Sequence, residues 1–192
     1  MNPLRRSAAP PLLRRHCTEI GAGFELRRQQ NPSARFSWPE RAGQSLYVVA
    51  ADALRRDGDS RCAYCDGVDL NAQAREEIDH FRPKSEYPRL VAAWSNLFLA
   101  CTACNHAKSE QWDPLLLRPD AQGYRFEHYF LFRPDNGELE VNPAASADDQ
   151  RRAQRTIEIL ELNRPHLAVS RLKRFRQRGI DPADAPYRFI GA

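Results

Sequence analysis

Two Cys-x-x-Cys pairs, Cys62/Cys65 and Cys101/Cys104, constrain the fold of this chain more than any other feature. Each pair on a tight turn brings two sulfurs to one point, and four thiolates complete a tetrahedral zinc shell. Redox-active or unpaired thiols are the alternative reading of the same residues. The spacing is unusual: 35 residues lie between Cys65 and Cys101, against roughly 15–20 in common zinc ribbons. An interval that long implies a unit inserted between the two knuckles. The fifth cysteine, Cys17, stands alone and reads as a free, partly buried thiol.

The chain has 192 residues, 42% of them hydrophobic and 28% charged, enough to bury a core in one domain or one domain with appendages. No apolar run approaches the roughly 20 residues needed to cross a bilayer, and no apolar signal core follows the basic start, so the expected compartment is the cytoplasm. That setting favours zinc over disulfides for the paired cysteines. The net charge of +4 is a weak pointer to nucleic acid on its own. Only three lysines occur, Lys84, Lys108 and Lys173, and two of them fall inside the insertion and the second knuckle's helix. The segment 164–178 carries six basic residues and no acidic one, which reads equally as a solvated helix face or a phosphate contact.

The periodicity predicts three regions. Residues 1–56 form an extension, with a helix near Leu12–Gln30 and a second over Leu46–Arg56, where Leu46, Val49, Ala50, Ala53 and Leu54 recur at helical spacing. Residues 57–118 read as knuckle, short strand Glu77–Phe81, a loop kept irregular by Pro83 and Pro88, short strand Leu97–Ala100, knuckle, and a helix over Thr102–Gln111. Residues 119–192 read as a β-hairpin, in which Tyr124, Phe126, His128, Phe130 and Phe132 alternate before a turn at Pro134–Gly137 and a return over Glu138–Val141. A helix capped by Ser146 and a last helix to about Arg178 follow. The expected fold class is α+β.

Phosphodiester hydrolysis needs a base that accepts a proton from water near neutral pH, and a neutral imidazole suits that task. It also needs a divalent cation held by hard oxygen ligands. The insertion offers both. Asp79 and His80 are neighbours on a strand and point to opposite faces. Asn96, just before the second strand, is placed to bond the backbone near His80 and fix the ring. Asn105, in the first turns of the following helix, offers an amide oxygen as a second metal ligand, and the adjacent His106 is an alternative to it. Lys108 lies three residues along the same helix face, and Arg82 and Lys84 come from the loop; all three are candidates for phosphate contact. Glu77 is a candidate to assist the metal or orient a ligand. His16, His128 and His166 read as surface or packed residues, and Trp38, Trp94 and Trp112 as packing residues.

The ordered pattern Cys62-x-x-Cys65, Asp79-His80-x-x-Pro83-Lys84-Ser85, Asn96-Leu97, Cys101-x-x-Cys104-Asn105-x-x-Lys108 resembles the HNH endonuclease superfamily in an HNN form, with His80, Asn96 and Asn105 at the three signature positions. The resemblance implies a ββα-metal core stapled by a four-cysteine zinc, His80 as general base, and Asp79 with Asn105 as ligands of a catalytic Mg²⁺ or Mn²⁺. Glu77 to Ser85, Trp94 to Leu97, Glu110 to Asp113 and Leu162 to Arg164 are similar to the HNH proteins found beside retrons and to the HNH subunit of Septu-type anti-phage systems. That likeness implies a role in defence, a DNA or RNA target, DNA more than RNA, and an ATPase partner. Two other readings remain open here: a non-catalytic nucleic-acid-binding zinc module, and a structural subunit of an ATPase–nuclease complex.

Overall fold

The computed structural model describes residues 1–68, 75–177 and 186–190. Its elements run α1 (Pro11–Gln30), β1 (Glu40–Arg41), β2 (Gln44–Ser45), α2 (Leu46–Asp57), β3 (Glu76–His80), β4 (Leu97–Cys101), α3 (Thr102–Lys108), α4 (Phe126–Tyr129), β5 (Phe130–Phe132), β6 (Leu139–Val141), α5 (Ala147–Ile159) and α6 (Pro165–Arg176). The described strands form three two-stranded antiparallel sheets. The central pair, β3 with β4, sets Glu76 opposite Cys101 and His80 opposite Leu97. With α3 leaving directly from β4, this is a ββα unit.

Local chemistry explains the flanks. Proline opens α1 and α6 at their first positions, where a missing N–H costs nothing. Ser146 accepts a hydrogen bond from the Asp149 backbone N–H and starts α5. The α1 helix lies across the turn at Pro88–Leu90, and the approach is close enough that a Cβ on Gly21 would stand 2.2 Å from the Arg89 carbonyl oxygen. Glycine is thus required there for steric reasons alone. The β4 strand is buried throughout, and one hydrophobic cluster joins it to Leu13 and Phe24 of α1, Leu54 of α2, Tyr64 of the first knuckle and Ile159 of α5.

Two expectations need correction, and one hairpin carries no sequence signal. The aromatic alternation from Tyr124 does not run as one strand. Phe126–Tyr129 turns once as α4 before β5 begins, because Phe126 stacks on Phe189 with ring centroids 4.2 Å apart and Tyr124 stacks on Tyr129 at 5.5 Å. Those partners are not visible to a period of two. The helix expected over Thr102–Gln111 ends at Lys108, with Ser109 at φ 48°. The β1–β2 hairpin turns through Ala42 and Gly43, at φ 50° and 72°, a primed turn that lacks the usual Asn-Gly signal. The last helix ends at Arg176, and Arg178, to which it was expected to extend, lies outside the described residues.

Candidate active site and cysteine cluster

The four cysteines converge. The sulfurs of Cys62, Cys65, Cys101 and Cys104 all lie within 4.8 Å of one another and all four residues are buried. Cys65 and Cys101 are 4.0 Å apart, close to the roughly 3.8 Å edge of a tetrahedron built on a Zn–S length of about 2.3 Å. The donor set and its spacing fit structural zinc. Backbone bonds hold the cluster in register: Ala63 N–H donates to the Leu99 carbonyl at 2.8 Å, joining the first knuckle to β4, and Cys62 N–H donates to Gly67 at 3.0 Å. Cys101 ends β4 and Cys104 lies in the first turn of α3. Arg164, between α5 and α6, donates from its guanidinium to the Cys104 sulfur at 3.2 Å, which offsets the negative charge of a tetrathiolate site.

Next to this cluster, a cleft of about 260 Å³ is lined by Ile78, Asp79, His80, Lys84, Asn105, His106 and Glu110, among others. His80 is buried, and its Nε2 lies 2.9 Å from the Val91 carbonyl oxygen. That oxygen can only accept, so Nε2 carries the proton and Nδ1 keeps the lone pair. No described residue hydrogen-bonds Nδ1. Burial, with the charge of Lys84 adding to it, lowers the His80 pKa from 6.5 to about 4, against the opposing pull of the Val91 carbonyl. The imidazole is therefore neutral at physiological pH. Its walls come from the N-terminal extension: Trp38 stacks on it at 6.3 Å and Phe36 meets it edge-on at 6.1 Å.

Asn96 acts on the backbone, as its position before β4 suggested. Its amide oxygen accepts from Arg82 N–H at 2.8 Å, and its amide nitrogen donates to the Arg82 carbonyl at 3.1 Å and the Leu90 carbonyl at 3.2 Å. Asn96 thereby pins both ends of the loop whose next residue, Val91, holds the His80 ring.

The Asp79 carboxylate is buried and accepts two hydrogen bonds, one from the Tyr64 hydroxyl and one from the Lys108 ammonium at 3.1 Å. Burial pushes its pKa up, while Lys108 and Tyr64 pull the other way. Asn105 donates from its amide nitrogen to Glu77. A carboxylate can only accept, so the contact turns the amide oxygen of Asn105 away from Glu77, and no described residue bonds that oxygen. Asp79 and Asn105 both line the cleft; both Asp79 oxygens are engaged by Tyr64 and Lys108, so a hard cation held by this pair would draw on the unbonded Asn105 amide oxygen and on an Asp79 oxygen released by one of its partners. Among the described residues, the cysteines are the one group of three or more His, Cys, Asp or Glu ligand atoms that converges. Mg²⁺ usually takes one or two protein carboxylates and completes its shell with water and substrate phosphate; of this pair only Asp79 is a carboxylate.

Among the phosphate candidates the structure separates three cases. Lys84 lines the cleft and pairs loosely with Glu110 at 3.9 Å. Lys108, expected to meet phosphate, is fully buried, and its ammonium is spent on Asp79 and on the His80 carbonyl at 2.8 Å. Its position on the inner face of α3 carries the side chain under the strand pair instead of outward. Arg82 is exposed but does not line the cleft; it lies over the rings of Tyr87 and Trp112. His106, exposed, also lines the cleft beside Asn105. His128 pairs with Asp149 at 3.0 Å, and Trp94 is buried with its indole N–H on the Ser7 carbonyl. Sequence reasoning missed the roles of Tyr64, Phe36 and Arg164, and gave Trp38 as packing without its place on His80. Only Arg164 had a signal, its place in the Leu162–Arg164 segment.

Residues 62–111, which hold the four-cysteine cluster and the ββα unit with His80, Asn96 and Asn105, match the family model of the HNH endonucleases. The chain is also similar to two proteins named Septu protein PtuB. The one from Bacillus mycoides (strain KBAB4) is 31% identical over 75 residues, 32% of this chain and 25% of that protein. The one from Bacillus thuringiensis is 39% identical over 57 residues, 29% of this chain and 22% of that protein. The match spans about a quarter of the length of these curated relatives. No described helix is long and apolar enough to cross a membrane.

Proposed function

We propose that this chain is a metal-dependent endonuclease that hydrolyses phosphodiester bonds in nucleic acid, DNA in preference to RNA. The observation that carries this reading is the state of His80: a neutral imidazole with Nε2–H on the Val91 carbonyl and a free lone pair on Nδ1, in a cleft shared with Asp79 and Asn105. His80 takes the proton of the attacking water on Nδ1, the water oxygen bonds to phosphorus, and the 3′-oxygen leaves. Asp79 and Asn105 would hold a Mg²⁺ or Mn²⁺ ion, which when bound neutralises charge on the scissile phosphate and the leaving oxygen. Asn96 keeps the His80 ring aimed by fixing the loop that ends at Val91. Lys84 attracts the phosphate backbone to the cleft mouth. The cysteines, with zinc, hold the two ends of this insertion and take no part in the chemistry.

Similarity to two Septu proteins supports a place in bacterial anti-phage defence, and the resemblance to HNH subunits of such systems supports an ATPase partner. A second reading has one observation in its favour. The Asp79 carboxylate is already engaged by Tyr64 and Lys108, which suits a nuclease held idle until its partner binds. The test is cleavage of plasmid DNA and of total RNA with Mg²⁺ or Mn²⁺ against none, beside His80→Ala, with and without the ATPase. Metal-dependent cutting that disappears in His80→Ala supports the nuclease. Absence of cutting in every arm, partner included, leaves the binding-module and structural-subunit readings.

A further inference from the structure

We infer that Arg82, Tyr87 and Trp112 form a stacking platform for an unpaired nucleobase next to the scissile phosphate. The inference rests on nucleic acid being the substrate. The Arg82 guanidinium lies 4.9 Å from the Trp112 ring centroid and 5.3 Å from that of Tyr87, and the two rings meet edge to face at 5.3 Å. Arg82 is exposed, and among the described residues its side chain makes no ion pair or hydrogen bond. Other arginines do otherwise: Arg6, Arg55, Arg118, Arg155 and Arg188 all pair with carboxylates. A solvent-facing guanidinium plane with unused donors, backed by two aromatic rings, is the arrangement that takes up a base.

The platform stands at the rim of the cleft. Arg82 directly precedes Pro83 and Lys84, and Trp112 follows Glu110 by two residues; Pro83, Lys84 and Glu110 all line the cleft. Two residues of chain span at most about 7 Å, roughly the distance between successive phosphates of an extended strand. The backbone of Arg82 is held at both its N–H and its carbonyl by Asn96, so the platform and the His80 ring are set by the same side chain. The Ser85 hydroxyl donates to Glu110 and ties the two segments together.

A base paired within a duplex has both faces covered by its neighbours. Within a duplex only the terminal pairs expose a face, whereas an unpaired base, in a single strand or a bulge, can offer one anywhere along the strand. The structure therefore points to single-stranded or locally opened nucleic acid as the preferred ligand class.

The experiment is fluorescence anisotropy with the His80→Ala chain, so that binding is read without cleavage. The probes are labelled single-stranded DNA, single-stranded RNA of the same sequence, and the matched DNA duplex, each about 12 nucleotides long to fill one site. Trp112→Leu and Arg82→Lys should each weaken single-strand binding by about five- to tenfold, with less than a twofold change for the duplex. Arg82→Lys keeps the charge and loses the plane, and as a surface change it should leave zinc content and circular dichroism unaltered. Equal losses on single strand and duplex, or no loss on either, would overturn the platform. The two single-stranded arms show whether the sugar matters. Selective single-strand binding with no cleavage by the parent chain, the ATPase partner included, would remove the nuclease reading and leave the platform standing.

Discussion

The ammonium of Lys108 sits 3.1 Å from the carboxylate of Asp79, and both groups are withdrawn from solvent. The same ammonium reaches the His80 carbonyl, so one lysine ties α3 to the two residues proposed as metal ligand and base. Removing it strands a buried carboxylate. Lys108→Met should cost about 3–5 kcal/mol of stability, measured by denaturant unfolding with zinc present. Arg82→Met, a change to an exposed side chain, should cost far less. Equal midpoints for the two variants would show that the buried pair contributes nothing net.

Arg164 compensates the charge of the cysteine cluster from the far end of the chain. Arg164→Met should leave the zinc stoichiometry at saturation unchanged but weaken zinc affinity by about tenfold or more. Competition with a chromogenic chelator reads this directly. Cys104→Ser, by contrast, should lose zinc and the folded core together, visible as collapse of the circular dichroism signal.

The depressed pKa of His80 has a defined sign. Between 6.5, the unfolded value, and about 4, the folded value, the unfolded chain takes up a proton that the folded chain refuses. Stability from this group is therefore complete above pH 6.5 and is lost as pH falls toward 4. The loss amounts to about 3 kcal/mol at the lower end. Unfolding series across that window, run without added Mg²⁺, should show the slope in the parent chain and a flatter profile in His80→Asn. An identical slope in both would place the titrating group elsewhere.

Asn96 makes three hydrogen bonds to the loop between β3 and β4. Asn96→Ala should lower kcat by about 10²-fold through misplacement of the His80 ring, with zinc content intact and substrate affinity nearly unchanged. A rise in KM with kcat preserved would mean that Asn96 serves binding instead.

Much of the candidate site was legible because its residues are close in sequence and their spacing maps onto simple geometry. Cys-x-x-Cys pairs converge on turns, neighbours on a strand face apart, and Asn105 and Lys108 share a helix face. The spacing could not say whether that face points inward or outward, and so Lys108 was assigned to phosphate when its side chain is buried. Trp38 was read only as a packing residue and Phe36 not at all, because they meet His80 from some 40 residues away, with no period to announce the contact. The α4 turn was hidden for a similar reason: its aromatic residues satisfy a strand pattern, and the ring that decides the matter, Phe189, lies near the other end of the chain. Tyr64 falls between two cysteines, where any buried residue would satisfy the pattern; only the position of Asp79 gives its hydroxyl a task.

Asn163 and Arg164 are consecutive, yet they grip different bodies. Asn163 bonds both the N–H and the carbonyl of Leu139 at the start of β6, at 2.8 and 2.9 Å, while Arg164 holds the Cys104 sulfur. A dipeptide with one hand on each is a joint with no play. A load placed on the aromatic hairpin, as by a protein docking there, would be handed to the metal knuckle and from there along β4 to the strand that carries His80.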